Sequence, residues 1–204
     1  MIRPLYLILI SFTIIFVQIK QKSCQFSVKK PIDCLIHNQK YSHEYLYASN
    51  NIFITDLLKI HHKIYTISIK SLEDDYDRVK WTINQMTDQS NGTLTVTIKS
   101  NSGQYLCASN LYQDLFRKRR KIFLKIDHYN RNDQTDCKWR LNKIGFQTYT
   151  IRNDLFNEHL YAPSLFYMDD LIHRNVYLFK NKQSNTGSEF KWLIDCKKEH
   201  FLLE

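Results

Sequence analysis

The sequence predicts an all-β chain built from three copies of one unit. The stretch Tyr45-Leu46-Tyr47-Ala48-Ser49 returns as Tyr105-Leu106-Cys107-Ala108-Ser109 and, loosened, as His159-Leu160-Tyr161-Ala162-Pro163. The three tryptophans fall one to each copy, in Lys80-Trp81-Thr82-Ile83, Lys138-Trp139-Arg140-Leu141 and Lys191-Trp192-Leu193-Ile194. Apolar and polar residues alternate through Leu94 to Ile98, Thr148 to Ile151 and Ile64 to Ile69, which is the period of a strand. After the first two dozen residues, nothing holds apolar residues at helical spacing for three turns. At most Asp56 to His62 would make one helical turn.

Taken in order, the chain opens with Met1-Ile2-Arg3 and an apolar run from Leu5 to Ile19, closed by Lys20, Gln21 and Lys22. The run is too short for a comfortable membrane span and has the length of a signal-peptide core, so residues 1–24 are read as a signal peptide cut near Cys24. Residues 25–33 then lead in. The unit repeats over about 34–86, 94–143 and 147–196, within a domain ending near residue 197, and residues 198–204 form a tail. Each unit has a strand ending at Ile36, Ile98 or Ile151, the Tyr-Leu-x-Ala motif, and an aromatic with Asp-Leu (Asp56, Asp114, Asp170). A basic residue (His62, Arg120, Arg174) and the Trp strand follow. Thr87 to Thr93 and Ile144-Gly145-Phe146 join the units.

Of 204 residues, 43% are hydrophobic and 14% aromatic, enough for a packed core and against wholesale disorder. With only four Gly and three Pro, turns fall to Asn, Asp and Ser. Loss of residues 1–24 removes Arg3, Lys20 and Lys22 from 29 cations, leaving 26 against 20 acids, a net +6. That balance favours polyanions. Cys34, Cys107, Cys137 and Cys196 remain, an even number suited to an oxidising compartment. Cys107 and Cys137 lie within the second unit, and Cys34 and Cys196 at the ends of the array. We therefore expect Cys34–Cys196 and Cys107–Cys137, one of three possible pairings.

Three units of this size, each with about four short strands, fit a β-trefoil, whose first and last strands meet and would bring Cys34 to Cys196. A propeller normally needs at least four blades. Val96-Thr97-Ile98-Lys99-Ser100 followed by Ser102-Gly103-Gln104-Tyr105-Leu106-Cys107 is similar to the fibroblast growth factor strand ending in Gly-x-Tyr-Leu-Cys. A Trp in the last strand of every unit resembles fascin-type domains and the C-terminal domain of insect 30K haemolymph lipoproteins. The resemblance spans about residues 34–196 and rests on core positions. It departs from ricin-type lectins, because no unit carries Gln-x-Trp, and it implies a fold rather than binding residues.

The repeated Tyr, Leu, Ala and Trp are read as core, and each repeated Asp as a hairpin residue paired with the basic residue that follows. The sharpest local signal is Arg117-Lys118-Arg119-Arg120-Lys121, five cations on a hairpin that an anion would relieve. It reads as a patch for sulfated glycan or anionic headgroups. A dibasic processing site, an inhibitor's bait loop and a solvated loop are the competing readings, and Glu73, Asp74, Asp75 and Asp77 are candidates to neutralise it. Asn91-Gly92-Thr93 is a glycosylation sequon in a turn-rich link. His61-His62 lacks the i, i+4 spacing of a helical zinc site, and neither a phosphate loop nor a nucleophile elbow occurs. The chain is thus expected to be a secreted, monomeric, non-catalytic binding protein with no cofactor, metal, nucleic acid or lasting membrane span. A haemolymph-type storage or carrier protein and a trefoil protease inhibitor are the alternatives.

Overall fold

A computed structural model describes residues 31–54, 60–72, 75–88, 93–114, 118–126, 135–164, 172–180 and 187–196. The signal segment, Cys24, Asn91, Arg117, Asp56, Asp170 and the tail lie outside them. Thirteen strands run in order: β1 (Ile32–Asn38), β2 (Glu44–Ile54), β3 (Ile60–Ser68), β4 (Lys80–Asp88), β5 (Thr93–Ser100), β6 (Tyr105–Tyr112) and β7 (Arg119–Lys125). Then come β8 (Trp139–Gly145), β9 (Thr148–Asn153), β10 (His159–Tyr161), β11 (His173–Asn175), β12 (Tyr177–Phe179) and β13 (Lys191–Cys196). Four short 3-10 turns are the only helical pieces among the described residues. The first strand begins at Ile32, inside the expected leader. The strands expected to stop at Ile36, Ile98 and Ile151 run two residues further, and His61 and His62 lie in β3 rather than in a helical turn.

Six strands close a ring through the antiparallel pairs β1–β4, β4–β5, β5–β8, β8–β9, β9–β13 and β13–β1. Three hairpins cap it: β2 with β3, β6 with β7, and β10 with β12. The caps meet one another through β3–β7, β7–β12 and β3–β11. Pairing of Cys34 with Cys196 across the closing β1–β13 seam places their sulfurs for a disulfide, and Cys107 bonds Cys137. Both expected bridges are present.

The motif residues explain why the ring and its caps hold together. Trp81, Trp139 and Trp192 are fully buried, and a ring of this size removes roughly 200 Å² from water. A buried indole N–H still needs an acceptor. Each finds the same one: Nε1 donates to the backbone oxygen of Leu46, Leu106 or Leu160 at 2.9, 2.8 and 3.1 Å. The repeated leucine thus fills the core with its side chain and binds the tryptophan of the same unit with its carbonyl. Ala48, Ala108 and Ala162 are buried as expected. The motif's first position departs from expectation: Tyr45, Tyr105 and His159 are only half-buried. Period-2 alternation sends them to the side of the hairpin opposite the leucine.

On that outer side, each 3-10 turn that precedes a Lys-Trp pair supplies one cover residue. Val79 packs with Tyr47 and Tyr65, Cys137 with Cys107 and Phe123, and Phe190 stacks 4.7 Å from Tyr161. The Cys107–Cys137 bridge therefore takes the place of a side-chain packing contact found in the other two caps.

Candidate functional site

The described part of the basic run, Lys118 to Lys121, does not present all of its cations to solvent. Successive strand residues face opposite ways. Arg119 and Lys121 face outward, and Arg120 points into the cap, 6% exposed. An unpaired guanidinium there would be costly. Arg120 instead forms a two-point ion pair with buried Glu158, Nε to Oε2 at 2.7 Å and Nη2 to Oε1 at 3.1 Å. Its Nη1 donates to the Ser109 oxygen at 3.0 Å, and the guanidinium lies 3.7 Å from the Phe156 ring centroid. Arg174 repeats the arrangement with Glu44, at 2.7 Å for both contacts, with the Pro163 oxygen at 3.0 Å and the Tyr41 ring at 3.6 Å. By register, His62 occupies the third such place: it pairs with Leu124 across β3–β7, as Arg120 pairs with Leu178 and Arg174 with Thr66.

Two expectations are thereby corrected. Arg120 pairs with Glu158, not with Asp114, because its side chain faces the cap interior while Asp114 lies at the turn. Asp114 binds Arg119 instead, Oδ2 to Nε at 2.9 Å, and accepts from the Lys118 amide at 2.8 Å. Burial works to raise the Asp114 carboxyl, but the Arg119 side chain and the two amides outweigh it and hold it below its ordinary value. Of the acids expected to neutralise the patch, Asp75 pairs with Arg78 and Asp77 with Lys80, while Glu73 and Asp74 lie outside the described residues. Arg119 to Lys121 lie within β7 with Arg120 in a buried ion pair, while Arg117, the first residue of the expected bait or processing sequence, lies outside the described residues.

What remains outward is a mixed basic and aromatic face. Arg119 pairs with Phe179 and Lys121 with Tyr177 across β7–β12; Phe179 pairs with His159 and Tyr177 with Tyr161 across β12–β10. Side chains directly opposite on neighbouring strands share a face, so the sheet sets Arg119 and Lys121 beside two aromatic rows. The Arg119 guanidinium is 5.9 Å from the Tyr177 ring, and Tyr161 and Phe179 are 5.3 Å apart. The Lys180 amide donates to the Lys118 oxygen at 3.1 Å, which sets exposed Lys118 and Lys180 side by side. Arg152 pairs with His159 on the next strand. Such a face can hold an anion by its cations while a sugar ring lies on the exposed part of Tyr177; Phe190 covers Tyr161 and Phe179, with ring centroids 4.7 and 5.8 Å away.

His159 sits within this face. Burial, aided by the neighbouring Arg152 charge, pushes its imidazole down to about 4, against an ordinary 6.5. A histidine that titrates lower folded than unfolded leaves stability intact above the unfolded value and takes it away as pH falls toward the folded one. Between pH 6.5 and about 4 the protein is therefore expected to lose stability through His159. In thermal melts at pH 7 and pH 5, the drop should be smaller for His159→Gln than for the parent. An equal drop in both would contradict it.

Among the described residues, one group of His, Cys, Asp or Glu has metal-like spacing: Cys107, Asp136 and Cys137. Both sulfurs are committed to the disulfide, so the group is a bridge and its neighbour rather than a ligand set. No described helix is long and apolar enough to cross a membrane.

No family model matches the chain, and no curated protein matches it. Solved structures do. A designed threefold-symmetric protein, ThreeFoil, superposes with a TM-score of 0.55 at 13% identity, covering 80% of this chain and 97% of its own. A protein named BEL beta-trefoil gives 0.51 at 11%, covering 81% and 93%. The fold is β-trefoil-like. A salivary protein from Culex quiquefasciatus of the Cysteine and Tryptophan-Rich family gives 0.56 at 18%, covering 82% and 95%. Identities this low speak to the trefoil-like scaffold alone, and a scaffold does not carry function with it.

Proposed function

We propose that the protein is a secreted, non-catalytic binding module of three trefoil repeats that recognises an acidic or sulfated extracellular glycan. The observation that carries this is the outer face of β7, β12 and β10, where Lys118, Arg119, Lys121 and Lys180 adjoin Tyr161, Tyr177 and Phe179. Guanidinium and ammonium groups bind sulfate and carboxylate, and aromatic rings take the apolar side of a sugar. Secretion is supported by the apolar N-terminal run and by two disulfides, which persist in oxidising compartments. The repeats are taken as about 34–86, 94–143 and 147–196, with Asn91 in the first link as the glycan acceptor.

The test is elution from a heparin column beside a variant carrying Lys118→Gln, Arg119→Gln and Lys121→Gln. Arg120 is left alone because its loss would unfold the cap. We expect the parent to elute well above physiological salt and the variant far below it. Losing three phosphate- or sulfate-like contacts flattens the salt dependence by about three counterions. Tyr177→Ala should weaken binding with little change in that salt slope. Equal, low-salt elution of parent and triple variant would remove the proposal.

A further inference from the structure

The basic and aromatic face does not stop at β10. Register carries one row of directly opposed residues across five strands: Arg119 with Phe179, Phe179 with His159, His159 with Arg152, and Arg152 with Arg140. Side chains opposed in this way stand on one face of the sheet. The row therefore leaves the caps between β10 and β9 and continues onto the outside of the ring, with arginine at both ends. Neighbouring strands lie about 4.8 Å apart, so four steps set Arg119 and Arg140 about 19 Å apart along the row. Its far charges are poorly answered from within the chain. Arg140 and Arg152 face each other, and like charges so placed repel. Asp154 pairs with Arg140. Among the described residues no carboxylate pairs with Arg152, which is half-buried. Glu158, the next acid along this stretch, is buried and committed to Arg120. Between the two ends His159 is neutral at physiological pH, because burial and then the Arg152 charge push its imidazole down to about 4.

We propose that the protein binds a sulfated glycan as an extended chain, laid along this row from Arg119 past His159 to Arg152 and Arg140. This rests on the reading of the β7, β12 and β10 face as a glycan site. It adds a second group of cations, on β9 and β8, and a minimum length for the ligand. A sulfate or carboxylate set between Arg140 and Arg152 turns their mutual repulsion into two charge-assisted contacts. An unbranched chain with acidic groups on successive sugars can meet both ends of the row at once. A single acidic sugar reaches only one.

Titration calorimetry with a heparin-derived octasaccharide and disaccharide tests it on the parent, on Arg152→Gln, and on Arg140→Gln with Arg152→Gln. The double variant should bind the octasaccharide roughly tenfold more weakly than the parent, the size expected for two exposed ion pairs. Its salt dependence should flatten by about two counterions. The parent's preference for the octasaccharide over the disaccharide should shrink by the same factor. Arg152→Gln alone leaves the Arg140–Asp154 pair in place and should give about half of the flattening. Octasaccharide affinity unchanged in the double variant, but lost in the Lys118→Gln, Arg119→Gln, Lys121→Gln variant, would overturn the extended row and leave the glycan face standing. Equal losses for the two oligosaccharides would mean one short site and overturn it as well. A parent that binds neither would remove both readings.

Discussion

Glu158→Ala is expected to destabilise the protein by about 3–5 kcal/mol, as removing one partner of a buried ion pair does. Nearly all of Glu158 is out of water, and it answers Arg120 at two points. Without it the guanidinium keeps the Ser109 oxygen and the Phe156 ring, but no counter-charge. Removing the whole pair with an apolar substitute of similar volume, Arg120→Met with Glu158→Leu, is expected to recover most of the loss, since two desolvated charges barely repay their desolvation. Urea unfolding of the three proteins decides this. A single-mutant loss below about 1 kcal/mol, the level of a surface pair, would mean that Glu158 reaches water and that the cap is not built as described.

Removing the closing bridge should have the other large effect. Cys34 and Cys196 are 162 positions apart, so the bridge confines nearly the whole domain in its unfolded state. The chain-entropy model gives about 5 kcal/mol for a loop of that length and about 3.7 kcal/mol for the shorter Cys107–Cys137 loop, both upper bounds. Cys34→Ala with Cys196→Ala is therefore expected to lower the melting temperature more than Cys107→Ala with Cys137→Ala. The β1–β13 pairing already aligns the two ends, so native geometry should not change. The reverse order would show that the second bridge acts through packing against Phe123 rather than through loop closure.

The scaffold was legible because its signals repeat at core positions. Trp81, Trp139 and Trp192 are spaced like the leucines that accept from them, so one motif announced both partners of each bond. The even cysteine count and the place of Cys34 and Cys196 at the ends of the array favoured one of three possible pairings, and the fold contains that one. Arg120 was misread because five adjacent cations look alike in a sequence, whereas a strand turns each second side chain inward. Glu44 and Glu158 escaped notice because their partners are 130 and 38 positions away. A signal was available: an acid stands immediately before Tyr45-Leu46 and His159-Leu160. In the second unit Gln104 takes that place, as His62 replaces arginine in the first. Neither a carboxylate nor a guanidinium stands at the third cap position. The aromatic side of the proposed binding face was hidden because Tyr161, Tyr177 and Phe179 meet Arg119 and Lys121 only through the β10–β12–β7 pairing.

In the proposed function one outer face, not the cap interior or the opposite end of the ring, receives an acidic glycan. Backbone amide shifts of the isotope-labelled protein, followed as a heparin-derived oligosaccharide is added, test it residue by residue. The largest changes are expected at residues 118–121, 159–161 and 177–180, with the amides of 144–147 unmoved. Shifts concentrated elsewhere, or none at concentrations well above physiological, would contradict it.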